Sequence, residues 1–64
     1  MIDKLRAKAA RTQAGLTQAE VAKRINKSQN TVMDWERGVR QPRQDEAKLY
    51  ADAIGFDLDD IYFA

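Results

Sequence analysis

The sequence contains neither cysteine nor histidine. Their absence removes disulfide staples, thiolate and imidazole metal sites, the zinc finger, and every nucleophilic mechanism built on a cysteine or a histidine base. Long apolar runs are missing as well. The longest, Ile61 to Ala64, falls far short of a membrane span, and charges begin at Asp3, which leaves no signal-peptide core. The opening Met1-Ile2-Asp3-Lys4-Leu5-Arg6 has a faint transit-peptide composition, yet cleaving it would remove the first helix of a minimal domain, and that reading is set aside. A soluble, cytoplasmic protein with no membrane, metal or cofactor is the expectation. Strand signals are scarce too: Val, Ile and Thr never alternate over more than a few positions, while Ala and straight-chain residues dominate.

What is present is 64 residues, enough for one small domain, 1–64, and too few for two lobes around a cleft. The initial Met1 points to a whole chain. The formal charge of +1 hides a segregation: residues 1–44 hold ten basic and four acidic side chains, whereas residues 45–64 hold Lys48 against six acids. A basic piece followed by an acidic one points to a polyanionic partner. Without staple or metal, a chain of this length stands on packed side chains, which favours a compact helical bundle.

The punctuation predicts five helices. The first spans about Ile2 to Ala14, with Ile2, Leu5 and Ala9 on one side, and stops at Gly15 with Leu16 folding back. Thr17-Gln18-Ala19-Glu20 forms a capping box that opens a second helix to Arg24, with Val21, Ala22 and Ile25 apolar and Asn26 suited to a left-handed turn. Ser28 caps a third helix, Gln29 to Arg37, closed by Gly38, with Val32 and Trp35 inward. Pro42 ends a basic loop. Asp45 is expected to cap a fourth helix to Ile54, with Ala47, Tyr50, Ala53 and Ile54 inward and Leu49 at its flank. Gly55 closes it, and Asp57 caps a last short helix carrying Leu58, Ile61 and Tyr62.

Two helices joined by a three-residue turn in a small helical domain specify a helix-turn-helix, about 18–37, with its recognition helix at about 29–37. Ala22 is small where the third helix must approach. The run Gln18-Ala19-Glu20-Val21-Ala22, through Ser28, to Trp35-Glu36-Arg37-Gly38 resembles the helix-turn-helix of the lambda Cro and repressor family, the xenobiotic-response-element type. The likeness covers nearly the whole chain. It implies an all-α, compact five-helix lambda-repressor-like domain that binds double-stranded DNA.

A recognition helix presents its N-terminal residues to base edges, here Gln29, Asn30, Met33 and Asp34. Gln29 and Asn30 carry amides that match the N6 and N7 edge of adenine, and the resemblance carries base contact onto them and onto Asp34. Asp34 and Met33 each have two readings. The carboxylate either accepts from cytosine N4 or pairs with Arg37 one turn on, and Met33 either touches a thymine methyl or lies on the flank of the core. For phosphates the candidates are Gln18 and Ser28 at helix starts, Lys27 left free in the turn, and Arg37, Arg40 and Arg43 in and beside the basic loop.

The resemblance also implies a partly buried ion pair between Arg11 and Glu36, making Glu36 structural and Arg11 structural first and phosphate-contacting second. Asp57, Asp59 and Asp60 lack the spacing of a calcium loop and make no acid/base pair. Tyr62 and Phe63 either close the core or line a two-fold interface. The functional expectation is a non-enzymatic, sequence-specific transcriptional regulator of phage or bacterial type, a repressor that occupies a pseudo-palindromic operator as a homodimer. The alternative is a protein-binding module on the same fold, of the antitoxin or bridging-factor kind.

Overall fold

The computed structural model describes residues 4–63. In chain order these form β1 (Leu5–Arg6), α1 (Ala7–Gln13), α2 (Gln18–Arg24), α3 (Gln29–Arg37), α4 (Gln44–Ile54), a single 3-10 turn (Leu58–Asp60) and β2 (Ile61–Tyr62). The described residues are mostly helical, with four α-helices among them. No helix among the described residues is long and apolar enough to cross a membrane.

In the middle of the chain, residues adjacent to each boundary decide where helices begin and end. The Thr17 hydroxyl accepts the Glu20 amide at 3.1 Å while the Glu20 carboxylate accepts the Thr17 amide at 2.9 Å, so α2 starts at Gln18. That hydrogen bond holds the Glu20 carboxyl below its usual range. Asn26, at φ 59°, turns the chain in the left-handed region and lets the Lys27 amide reach the Ala22 carbonyl at 2.9 Å, closing α2. Ser28 then accepts the Thr31 amide at 3.2 Å and opens α3. The same six-to-one closing bond ends α1, α3 and α4, from Leu16 to Arg11, Val39 to Asp34 and Phe56 to Ala51.

The ends of the chain depart from expectation. α1 begins at Ala7, not near Ile2, because Leu5 and Arg6 are extended and pair in parallel with Ile61 and Tyr62. Helical backbone at either place would forfeit that ladder, whose hydrogen bonds satisfy groups next to the core. Ala7 and Ala10 therefore face inward and Ala9 is exposed, while Ile2 lies outside the described residues. The expected fifth helix is reduced to the 3-10 turn: the Asp57 side chain makes no cap, and Ile61 enters the strand instead. The all-α expectation stands, while the expected five helices give way to four among the described residues.

α4 starts one residue earlier than Asp45. Arg43 precedes it, and the Glu46 carboxylate takes the Arg43 amide at 2.8 Å, a reach-back that leaves Asp45 exposed in the first turn. Its buried positions are Ala47, Tyr50, Ala51 and Ile54, a spacing of one helical stripe, with Ala53 half-buried at the edge and Leu49 exposed. Trp35 and Tyr50, with Val21 and Val32, are the largest fully buried side chains. Phe63 packs edge-on against both rings, 6.3 Å from Trp35 and 5.0 Å from Tyr50 between centroids. Ala22, 3 % exposed, is buried in the same core cluster as Val32 and Trp35 of α3.

Candidate nucleic-acid interface

The turn between α2 and α3 sets one helix against the other, and burial divides α3 into two faces. Val32, Trp35 and Glu36 are buried, whereas Gln29, Asn30 and Arg37 are exposed and Met33 and Asp34 are partly so. Residues 29, 33 and 37, and 30 and 34, follow one another at helical spacing of four. They form a single outward stripe about 13 Å long, comparable with the width of a major groove. Gln29 and Asn30 stand at its N-terminal end. Asp34 forms no ion pair with Arg37 among the described residues.

Behind this face lies a polar hub. Glu36 receives Arg11 Nε on Oε2 at 2.7 Å and Arg11 Nη2 on Oε1 at 3.1 Å. Tyr50 Oη donates to Oε2 at 2.6 Å, and Gln18 Nε2 donates to Oε1 at 3.0 Å. Arg11 Nη1 also holds the Leu16 carbonyl at 2.8 Å. Burial alone would raise the Glu36 carboxyl, but the bonds from Arg11, Tyr50 and Gln18 outweigh it and leave the group below its ordinary range. The hydrogen bond to Glu36 likewise raises the Arg11 guanidinium. Burial, then the Glu36 bond, pushes the Tyr50 phenol well above its usual value, so it stays a donor. No buried side-chain polar atom among the described residues lacks a partner.

The hub changes how several candidates stand. Gln18, half-buried, has one amide hydrogen committed to Glu36 and a second left for an outside acceptor. Lys27 is not left free: the turn brings it against the start of α4, where its ammonium sits 2.9 Å from Glu46 Oε2. The Arg43 amide and that ammonium together hold the Glu46 carboxyl low. The Ser28 hydroxyl accepts the Thr31 amide and exchanges a second bond of 2.9 Å with the Thr31 hydroxyl.

Arg37, at the C-terminal end of the outward stripe, and Arg40 beyond it in the chain are exposed, and Arg43, 74 % exposed, lies 3.6 Å from both Asp45 and Glu46. Such exposed pairs are weak and leave the guanidinium available. Tyr62 is 42 % exposed and accepts from Arg6 Nε at 3.3 Å, while Phe63 is turned into the core. Sequence reasoning placed Tyr50 inward but missed its role in the hub. A buried tyrosine hydroxyl needs a partner, which was the available signal.

A short helix seated on a crossing helix, its outer stripe polar and its flanks basic, is the arrangement of a helix-turn-helix DNA-binding domain. The helix-turn-helix family pattern of the Cro and repressor type matches residues 8–61, and the chain belongs to that family. Membership carries a general function, that of a DNA-binding transcription regulator, and the family is not an enzymatic one. No curated protein and no solved structure matches the chain.

Proposed function

We propose that this protein is a sequence-specific repressor of phage or bacterial type that acts by occupying a pseudo-palindromic operator as a homodimer. The observation that carries the reading is the outward stripe of α3, with Gln29 and Asn30 exposed at its N-terminal end, Arg37 at its other end and Arg40 exposed just after it in the chain. Gln29 and Asn30 read adenine edges, and Asp34 and Met33 complete the base-facing set. Gln18 and the arginines at 37, 40 and 43 grip phosphates, with the exposed Lys8 and Lys23 adding only diffuse attraction. Lys27 and Ser28 are secondary, since both are engaged within the chain. The residues 1–64 act as one such domain, in the cytoplasm and on the nucleoid.

Of the two expected interface residues, Tyr62 remains on the surface, and Val39 and Leu49 are exposed as well, at 62 % and 47 %. These apolar side chains support two-fold pairing. They also favour the second reading, a protein-binding module of antitoxin or bridging type. Selection of bound sites from random DNA tests both at once. A palindromic consensus with half-sites about one helical turn apart supports the repressor. Weak affinity, equal for random DNA and the gene's own upstream region, supports the module and sinks the repressor.

A further inference from the structure

We propose that Tyr50 is a positioning residue for DNA binding: through the Glu36 carboxylate its hydroxyl orients the carboxamide of Gln18, and with it the grip of α2 on a phosphate. The inference rests on the DNA-binding reading above. It concerns a side chain of α4 that is fully buried and so touches no DNA.

A carboxylate offers two oxygens with about four acceptor sites, and Glu36 fills them with four donors. Arg11 contributes one bond to each oxygen. Those two bonds alone leave the carboxylate free to rock within the fork of the guanidinium. The tilt is set by the remaining pair: Tyr50 pulls on Oε2 from α4, and Gln18 hangs from Oε1 on the opposite side. Removing the Tyr50 bond frees one side of Oε2, and because the Nε bond is already 2.7 Å long the carboxylate responds by turning within the guanidinium fork, which shifts Oε1 relative to Gln18.

The Tyr50 proton has a choice of acceptor, because the Ala7 carbonyl lies 3.0 Å from the hydroxyl. Glu36 is nearer, at 2.6 Å, and charged, so it takes the proton. At the other end of the relay, Gln18 lines an open cleft of about 480 Å³ together with Arg11, Thr17 and Gln29. The cleft lies where the start of α2 meets the start of α3. A phosphate oxygen there meets the second amide hydrogen of Gln18 beside the first base-reading residue. Arg11 pins the same corner through the Leu16 carbonyl, so the guanidinium holds the backbone and Glu36 holds the side chain.

Gln18 is neutral, which makes the proposal readable. Its loss should lower affinity without releasing fewer counterions, unlike loss of an arginine, which reduces the log-log salt slope by about 0.9. The test measures binding of the whole chain to a short random-sequence duplex by fluorescence anisotropy over a salt series. It compares Tyr50→Phe, Gln18→Ala and the double variant, each checked for folding by circular dichroism.

The expected result is a loss of about threefold to tenfold for each single variant, no further loss in the double variant, and an unchanged salt slope. In the free protein, the Gln18 side-chain amide resonances should shift in Tyr50→Phe. Losses that multiply in the double variant, or unmoved Gln18 resonances, overturn the proposal. If Tyr50→Phe does not fold, fluorotyrosine at position 50 keeps the hydroxyl and alters its acidity, and the same resonances must then move. An unaltered chain that binds no duplex overturns the DNA-binding reading and this proposal together.

Discussion

Between Thr17 and Gly38 each helix boundary is set by a residue three to five positions away, whereas at Leu5–Arg6 and Ile61–Tyr62 the backbone is set by a partner about 56 positions distant. The first region carries its own instructions in hydroxyl and carboxylate caps. The second has an extended conformation only because the two chain ends meet. The difference separates the part proposed to face DNA from the part that closes the core. It also shows that the outward face of α3 depends on two further elements, since Glu36 of α3 is held by Arg11 of α1 and Tyr50 of α4.

The largest effect should come from breaking the hub that ties α3 to α1, α2 and α4. A 64-residue domain has a stability of roughly 3–10 kcal/mol. Glu36→Ala strands the Arg11 guanidinium in a buried setting at a cost of about 3–5 kcal/mol, so much of the population should be unfolded in a thermal melt.

Acid and alkali should loosen the same hub from opposite sides. The Glu36 carboxyl is depressed in the folded chain, so its contribution is present above about pH 4 to 5 and is lost as pH falls through its folded value. Tyr50 is raised, so its contribution is complete below about pH 10 and is lost above it. Urea midpoints across pH should trace both limbs, and Tyr50→Phe should flatten the alkaline one.

Ile61→Ala probes the chain ends alone. It removes a buried side chain from β2 and should cost about 2–4 kcal/mol, with unfolding by denaturant as the measure. If α1 to α4 hold together without the ladder, hydrogen exchange should rise first at Leu5, Arg6 and Ile61, while the amides of α2 and α3 stay protected. Thr17→Ala, which removes one local cap, should cost about 1 kcal/mol and fray the start of α2, read from the same exchange data. Tyr62→Phe deletes an exposed bond to Arg6 and should change stability by less than about 0.5 kcal/mol. A larger loss would mean that the ladder depends on this surface contact.

The middle of the fold was legible because its signals are local. Thr17 with Glu20, Asn26, Ser28 and Gly38 predicted both helices of the helix-turn-helix with the bounds observed. The start of α4 was less legible, since Asp45 offered a cap that Glu46 pre-empted by reaching back to Arg43. Lys27, read from the sequence as left free in the turn, finds its partner on another helix. Phe63 could close the core or meet a second copy until Trp35 and Tyr50 were seen beneath it.

By itself the sequence determined the spans of α2 and α3, the turn at Asn26, and which face of α3 points outward. Caps and helical spacing act over three or four residues, and no distant partner is needed to express them. Only the tertiary structure decided that the ends form a parallel ladder, that Lys27 serves Glu46, and that Tyr50 completes the bonds of Glu36. Strands of two residues carry no periodicity, and hydrogen bonds between helices exist only after the chain has closed around its core.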